Sequence, residues 1–229
     1  MQILKAIGLL MEYPDEFLWQ CKDEVLSMVR HDAPVLNDFA AEMLNAPLLD
    51  KQAEWCEVFD RGRATSLLLF EHVHAESRDR GQAMVDLLAQ YEKAGLVLNC
   101  RELPDHLPLY LEYLSILPEN EAREGLQNVA PILALLGGRL KQRGVPWYQL
   151  FDALLSLGGI PLSSDSVTQQ VNNESRDDTR QALDAVWEEE QVKFFADQGC
   201  GESEISAHQR RFAGAVAPQY LNITTGGQH

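Results

Sequence analysis

Apolar side chains recur along this chain at spacings of three and four, and nowhere in a sustained alternation of two, so helices rather than strands carry its core. Ile3, Ile7, Leu10 and Met11 open the pattern at i, i+4, i+7 and i+8. Tyr13-Pro14-Asp15 breaks it, because Pro14 biases Tyr13 away from the α region. Asp15 is then placed to cap a second helix carrying Leu18, Cys21, Val25 and Met28. One short helix follows Pro34 and another spans about 48–59, with a turn at Asn45-Ala46-Pro47 between them. After a polar loop over 60–66 comes the apolar run Leu67–Phe70, from which a helix marked by Met84, Leu87, Leu88 and Tyr91 continues to about Lys93 and stops at Gly95. From Leu107 to Leu117 apolar residues occupy nearly every side, which places that helix in the middle of the fold. Further stripes, Leu126, Val129, Ala130, Leu133 and then Trp147, Leu150, Phe151, Leu154, Leu155, flank a break at Arg143-Gly144-Val145-Pro146.

The expected fold is all-α: a single compact multi-helix domain over 1–160. Around 161–180 the composition turns polar, and this stretch reads as a mobile connector. Leu183, Val186, Trp187, Phe194 and Phe195 then predict a C-terminal helical appendage over 181–216, docked in part on the domain, with acids such as Glu188 and Glu189 on its opposite side. A flexible tail fills 217–229.

Lys and Arg number 19 against 35 Asp and Glu, a net charge of −16. A field of that sign repels nucleic-acid phosphates and anionic lipid headgroups and suits a basic or apolar partner. No apolar run approaches the roughly 18 residues of a membrane span, and the N-terminal residues do not read as a secretory signal. A cytoplasmic location is expected. Cys21, Cys56, Cys100 and Cys200 lie far apart in no recurring spacing, as reduced thiols do. No glycine-rich phosphate loop, nucleophile elbow or His-Glu-x-x-His helix is present, so no catalytic residue, cofactor or metal is assigned.

Three groups of residues stand out. His72 with His74 and Glu76 is the best metal candidate, but on a helix the two histidines point about 200° apart, so surface pairing of His72 with Glu76 is the simpler account. Arg61, Arg63, Arg78 and Arg80 are interleaved with Asp60, Glu71, Glu76 and Asp79. They form a solvated face of weak pairs, a joint between loop and long helix, or a patch that touches a partner. The third group is Glu102-Leu103-Pro104-Asp105-His106-Leu107-Pro108. Here Asp105 is placed to cap the central helix by accepting from Leu107 N–H, and Pro108 falls in the first turn, where a missing N–H is harmless. His106, Tyr110 and Tyr113 share one face at i, i+4 and i+7. That face is either a groove that receives a peptide or a core face whose hydroxyls find internal partners.

The wording of the chain adds a resemblance. Phe59-Asp60-Arg61-Gly62-Arg63-Ala64-Thr65-Ser66-Leu67-Leu68-Leu69-Phe70-Glu71-His72-Val73-His74, continuing through Arg78-Asp79-Arg80-Gly81-Gln82-Ala83-Met84, closely resembles the respiratory nitrate reductase assembly chaperones, the delta-subunit type of the redox enzyme maturation family. The Leu103–Tyr113 block and the end, from Leu183-Asp184-Ala185-Val186-Trp187 to Ala217-Pro218-Gln219-Tyr220, are similar to the same family, so the resemblance covers nearly the whole chain. It implies an all-helical chaperone that holds the cofactor-free catalytic (alpha) subunit, alone or with the beta subunit, until its molybdenum cofactor is inserted. It further implies recognition of the client's N-terminal segment, delayed membrane docking, absence from the finished enzyme and contact with proteins that deliver the cofactor. Relatives in the wider family carry an acid-Pro-Asp-His motif at the peptide pocket, matched here by Glu102, Pro104, Asp105 and His106. Tyr110 and Tyr113 extend that expected site, and Arg61, Arg63, Glu71 and His72 form an expected partner patch. The Trp-containing Pro-rich loop of some relatives has no counterpart near Arg63–Phe70. A different class stays open beside this one: a helical metal- or nucleotide-dependent enzyme using His72, His74 or His106.

Overall fold

A computed structural model describes residues 1–73, 78–98 and 102–188. The helices run in the order α1 (Ile3–Met11), α2 (Glu16–Gln20), α3 (Lys22–Asp32), α4 (Asn37–Asn45), α5 (Leu48–Trp55), α6 (Arg78–Lys93), α7 (Leu107–Ile116), α8 (Glu119–Asn128), α9 (Ala130–Gln142), α10 (Tyr148–Leu157) and α11 (Thr168–Asn172). Among the described residues the one β-like feature is a lone antiparallel bridge between Leu68 and His106. The fold is all-α, as the periodicity requires.

Local signals act where the sequence puts them. Asp15 Oδ1 accepts from Leu18 N–H at 2.8 Å and starts α2. The chain then kinks at Cys21, so the stripe Leu18–Met28 is shared by α2 and α3 rather than lying on one helix. Likewise the stripe Leu126–Leu133 is split at Val129: Pro131, which has no N–H to give, sits in the first turn of α9, where none is needed. The helix α5 runs on into a wider turn over Cys56–Asp60.

Helix α7 packs along α1, and α9 along α10. Gly8 makes the first contact possible, since a Cβ there would stand 3.3 Å from the Pro108 carbonyl oxygen. At the centre Trp147 is 1% exposed and its Nε1–H donates to Leu10 O at 3.3 Å. From Trp147 a line of rings leads outward, to Phe59 at 6.0 Å, Trp55 at 5.4 Å from Phe59, and the exposed Tyr13 at 5.4 Å from Trp55. Such offset and edge-on pairs add to the area each ring buries.

Within the polar stretch 161–180 lie two short ordered elements. Ser163 and Ser166 cap a short turn, Ser164–Val167, reciprocally. Ser164 donates from both N–H and Oγ to Asp152 Oδ1, at 2.7 and 2.6 Å. This turn and α11 lie against α9 at Gly137 and Gly138, where a Cβ on Gly138 would stand 2.4 Å from Val167 Cγ2. The two glycines make room, Val171 is buried against α9, and a few well-placed hydrogen bonds complete the anchoring.

The chain divides after Thr179 into Met1–Thr179 and Arg180–His229. In the second unit residues 180–188 are helical, with Leu183 half-buried and Glu188 exposed. Phe194, Phe195, Glu189 and the tail expected over 217–229 lie outside the described residues.

Candidate functional site at the start of α7

The apolar run Leu67–Phe70 does not begin the long helix. Leu67 and Leu69 are buried while Leu68 and Phe70 are half-exposed; Leu68 is extended, and a tight turn takes over at Leu69 and runs to His72, ahead of α6 at Arg78. A run of identical apolar residues hides that alternation from any reading of periodicity. The extended segment pairs with the chain entering α7: Leu69 N–H donates to Asp105 O at 3.0 Å, and Leu107 N–H to Leu67 O at 2.8 Å.

Asp105 is fully buried, and it is not the cap of α7. His106 occupies that position without a side-chain cap bond, and the Leu107 N–H expected to meet Asp105 goes to Leu67 O instead. The Asp105 carboxylate turns toward the other segment, where Oδ2 accepts from Phe70 N–H at 3.0 Å and Oδ1 is buried with no partner. Pro104 is buried beside it, its carbonyl accepting from the Tyr91 hydroxyl at 2.7 Å. Pro108 lies in the first turn of α7, as expected.

His106 is half-buried, and its Nδ1 is enclosed without a partner. Burial lowers its pKa, against the opposing pull of Glu102 and Asp105, so the ring favours the neutral form. Tyr110 forms the floor of this region: it is 8% exposed and its hydroxyl donates to Gly125 O at 3.1 Å. Burial, with Tyr113 adding to it, pushes its pKa up to about 12. Tyr113 is half-buried, with its ring 4.9 Å from Tyr91 and 6.2 Å from Tyr110. Glu102 and Leu103 are exposed at the edge. The expected site residues therefore cluster, but in two layers: Pro104, Asp105 and Tyr110 build the framework, while Glu102, His106 and Tyr113 are reachable from outside.

The arginine group divides as well. Arg61 and Arg63 are exposed, Arg61 lying 3.6 Å from Glu57, and Arg80 lies 3.6 Å from Glu71. His72 faces inward, Nε2 donating to Ser66 O at 2.8 Å and Nδ1 facing Arg139 Nη1 at 3.4 Å. Burial, then Arg139, lowers its pKa against the opposing effect of its bond to Ser66 and of the nearby Glu71 and Asp105 charges. With both ring nitrogens engaged, His72 has no lone pair to offer a metal. No cluster of three or more potential metal-binding side chains occurs among the described residues, and His74 and Glu76 lie outside them.

The Glu71–Arg80 pair links the loop to the long helix α6, and a larger network, made by residues outside that group, ties the same loop to α9. Arg139 on α9 grips Glu174 with two bonds, Nε to Oε2 at 2.7 Å and Nη2 to Oε1 at 3.0 Å, while Nη1 donates to Ala64 O at 2.9 Å. One turn on, Arg143 donates from Nη1 to Thr65 Oγ1 at 2.9 Å and from Nη2 to Asp177 Oδ1 at 2.7 Å. Asp177 Oδ2 in turn accepts from Ala64 N–H at 2.7 Å, in space that a Cβ on Gly62 would fill. The linear signal for this network is the i, i+4 spacing of Arg139 and Arg143 at the end of a helix whose first nine residues are apolar or glycine.

The family model described as nitrate reductase delta subunit matches residues 22–153, which span both the loop and α7. The chain belongs to this family. It is 75% identical over 229 residues, 99% of each chain, to a protein of Escherichia coli (strain K12) named as a probable nitrate reductase molybdenum cofactor assembly chaperone, NarW. It is 63% identical over 233 residues, again 99% of each, to the nitrate reductase molybdenum cofactor assembly chaperone NarJ of the same strain. A more distant relative, a probable chaperone of that name from Bacillus subtilis (strain 168), is 25% identical over 159 residues, covering 66% of this chain and 85% of its own. Membership sets the chain among assembly chaperones rather than catalysts. No helix among the described residues is long and apolar enough to cross a membrane.

Proposed function

We propose that the chain is the dedicated chaperone of a respiratory nitrate reductase catalytic subunit. It binds the cofactor-free subunit in the cytoplasm, alone or with its beta partner, and keeps it open for molybdenum cofactor insertion with the help of cofactor-delivery proteins. It delays membrane docking and leaves before the enzyme is complete. The observation that carries this reading is the identity of 75% across the full length of a protein bearing that functional name. A chaperone of this kind needs no turnover. Higher affinity for the unfilled client than for the filled one is sufficient to give capture and release.

We place recognition of the client's N-terminal segment at the start of α7. His106 and Glu102 meet the polar, basic end of the segment and Tyr113 meets its apolar face, while Pro104, Asp105 and Tyr110 hold these groups in place. The surplus of negative charge supports a basic ligand, and a helical segment laid on a helical surface is an established mode of recognition. Arg61 and Arg63 are available to a second contact on the folded client.

Calorimetric titration with a synthetic peptide copying the N-terminus of the catalytic subunit, against a scrambled control, tests the reading. Saturable binding of the true peptide, weakened by His106→Ala or Tyr113→Ala in a folded protein, is the expected result. If the peptide binds neither alone nor as part of the whole apo-subunit, the chaperone assignment to this client is wrong.

A further inference from the structure

We propose that Arg139 is a positioning residue for the Asp105–His106 site, which it never touches: it holds the 61–72 loop in the shape that presents Phe70 N–H to Asp105. What the site binds rests on the client-peptide reading above, but the geometry does not.

At its start the loop is tied by the buried Thr65 Oγ1, which donates to Val58 O at 2.6 Å, and by Ser66 N–H to Arg63 O at 3.1 Å; its later part has less to hold it. Its turn over Leu69–His72 is closed by Glu71 N–H to Leu68 O at 3.2 Å and Val73 N–H to Phe70 O at 3.4 Å. Arg139 supplies the fixed point. Its Nη1 donates to Ala64 O at 2.9 Å and faces His72 Nδ1 at 3.4 Å, and His72 Nε2 ties back to Ser66 O at 2.8 Å. Ser66 Oγ accepts from Leu68 N–H at 3.2 Å, and the next two N–H groups, of Leu69 and Phe70, close on Asp105. A single hydrogen-bonded route thus leads from the α9 guanidinium to the buried carboxylate beside His106.

The guanidinium is itself aimed by Glu174. The two-pronged pair fixes its plane, with the Arg139 side chain 16% exposed, so the donor to Ala64 cannot swing away without breaking charge-assisted bonds. A lysine would keep the charge and lose the fork. Asp177, three residues beyond Glu174, holds Ala64 from its N–H side, and Gly62 leaves it room with a backbone at φ +83°. The 174–178 segment, which leads to the second unit, therefore has a grip on the same loop that frames the site.

The test uses the full chain with three substitutions: Arg139→Lys, Arg139→Gln and Glu174→Gln. The readouts are backbone amide exchange at Leu69, Phe70 and Leu107, exchange across α10 as a reference, and affinity for the client peptide. The expected result is faster exchange at Leu69 and Phe70 with α10 unchanged. Peptide affinity falls roughly twofold to thirtyfold, the span of coupling through residues that do not touch ligand. Arg139→Lys does not rescue, and Glu174→Gln, which leaves the Ala64 donor in place, gives the smallest effect. Unchanged exchange at Phe70, whatever the affinity does, overturns the proposal, as does faster exchange spread equally through α10, which marks a general loss of stability. Faster exchange at Phe70 with undiminished peptide affinity overturns it too. If the wild type binds no peptide, the client reading fails, and the exchange arm alone still decides whether Arg139 positions Asp105.

Discussion

Asp105 and Phe70, 35 positions apart, are joined by a single hydrogen bond of 3.0 Å from the Phe70 N–H to a carboxylate that is fully buried. Removing the acceptor strands a backbone donor, and a lost partner for a buried donor costs about 1–3 kcal/mol. Asp105→Ala is therefore expected to lower stability by that amount in urea unfolding. Asp105→Asn keeps an acceptor oxygen for Phe70 and should lose distinctly less. Equal losses in both variants would show that the charge, not the bond, is what matters there.

Gly125 is the point where α8 meets α7. A Cβ at this position would stand 2.4 Å from Leu114 Cδ2 and 3.2 Å from the Tyr110 hydroxyl oxygen. Gly125→Ala should destabilise by about 1–3 kcal/mol, the usual cost of overpacking, despite the better helix propensity of alanine. Thermal unfolding decides the sign. Tyr110→Phe, which removes the donor to Gly125 O without changing the packing, should cost only about 1 kcal/mol.

Glu12 is a carboxylate whose pKa is raised, chiefly by burial and then by Glu112, Asp15 and Glu102, with Lys5 opposing. The folded state holds its proton more tightly than the unfolded one. The favourable linkage is thus present below the ordinary value of 4.5 and is lost as pH rises through the folded value. At neutral pH the carboxylate is a liability, and Glu12→Gln should melt at a higher temperature than the wild type. The gap should close in acid, and a variant less stable than wild type at pH 7 would contradict this account.

His72 and His106 work in the opposite direction on the pH axis. Each has its pKa lowered from 6.5, chiefly by burial, so the unfolded chain takes up their protons first. Their contribution is intact above about pH 6.5 and is lost as pH falls through the folded values. Urea midpoints measured from pH 7.5 down to pH 5 should decline for the wild type and decline less for His72→Gln and for His106→Gln. Parallel curves for all three proteins would exclude these rings as the source.

The fold class was legible because the signal is repeated: each helix shows a spacing of three or four, and an error at one boundary does not disturb the next. Failures came where one residue serves two elements. Asp105 has the identity and position of a helix cap, yet its carboxylate is drawn to Phe70 because Leu67 O has taken the N–H that a cap would hold. Leu67–Phe70 is apolar throughout and so carries no period, and pairing with the chain entering α7 decides its form. The candidate site was legible as a motif, but not in its layering: nothing local tells that Tyr110 lies beneath and Tyr113 beside. Arg139 and Glu174, separated by 35 positions, have no linear signature as a pair. The short elements within 161–180 have no apolar stripe to announce them, and the room that Gly137 and Gly138 leave for them carries no periodic signal.

Once Trp19 and the exposed Trp187 are replaced by Phe, the line of rings from Trp147 to Tyr13 becomes an optical reporter that needs no added label. Trp147, sealed in the core, should emit at short wavelength and resist a dissolved quencher, whereas the half-buried Trp55 yields to it. Tyr13 lies edge-on to Trp55 at 5.4 Å, so whatever covers that exposed ring also shields the outer indole. Quenching that falls while the core emission holds steady then marks an event at the surface end of α1, and quenching of both marks unfolding.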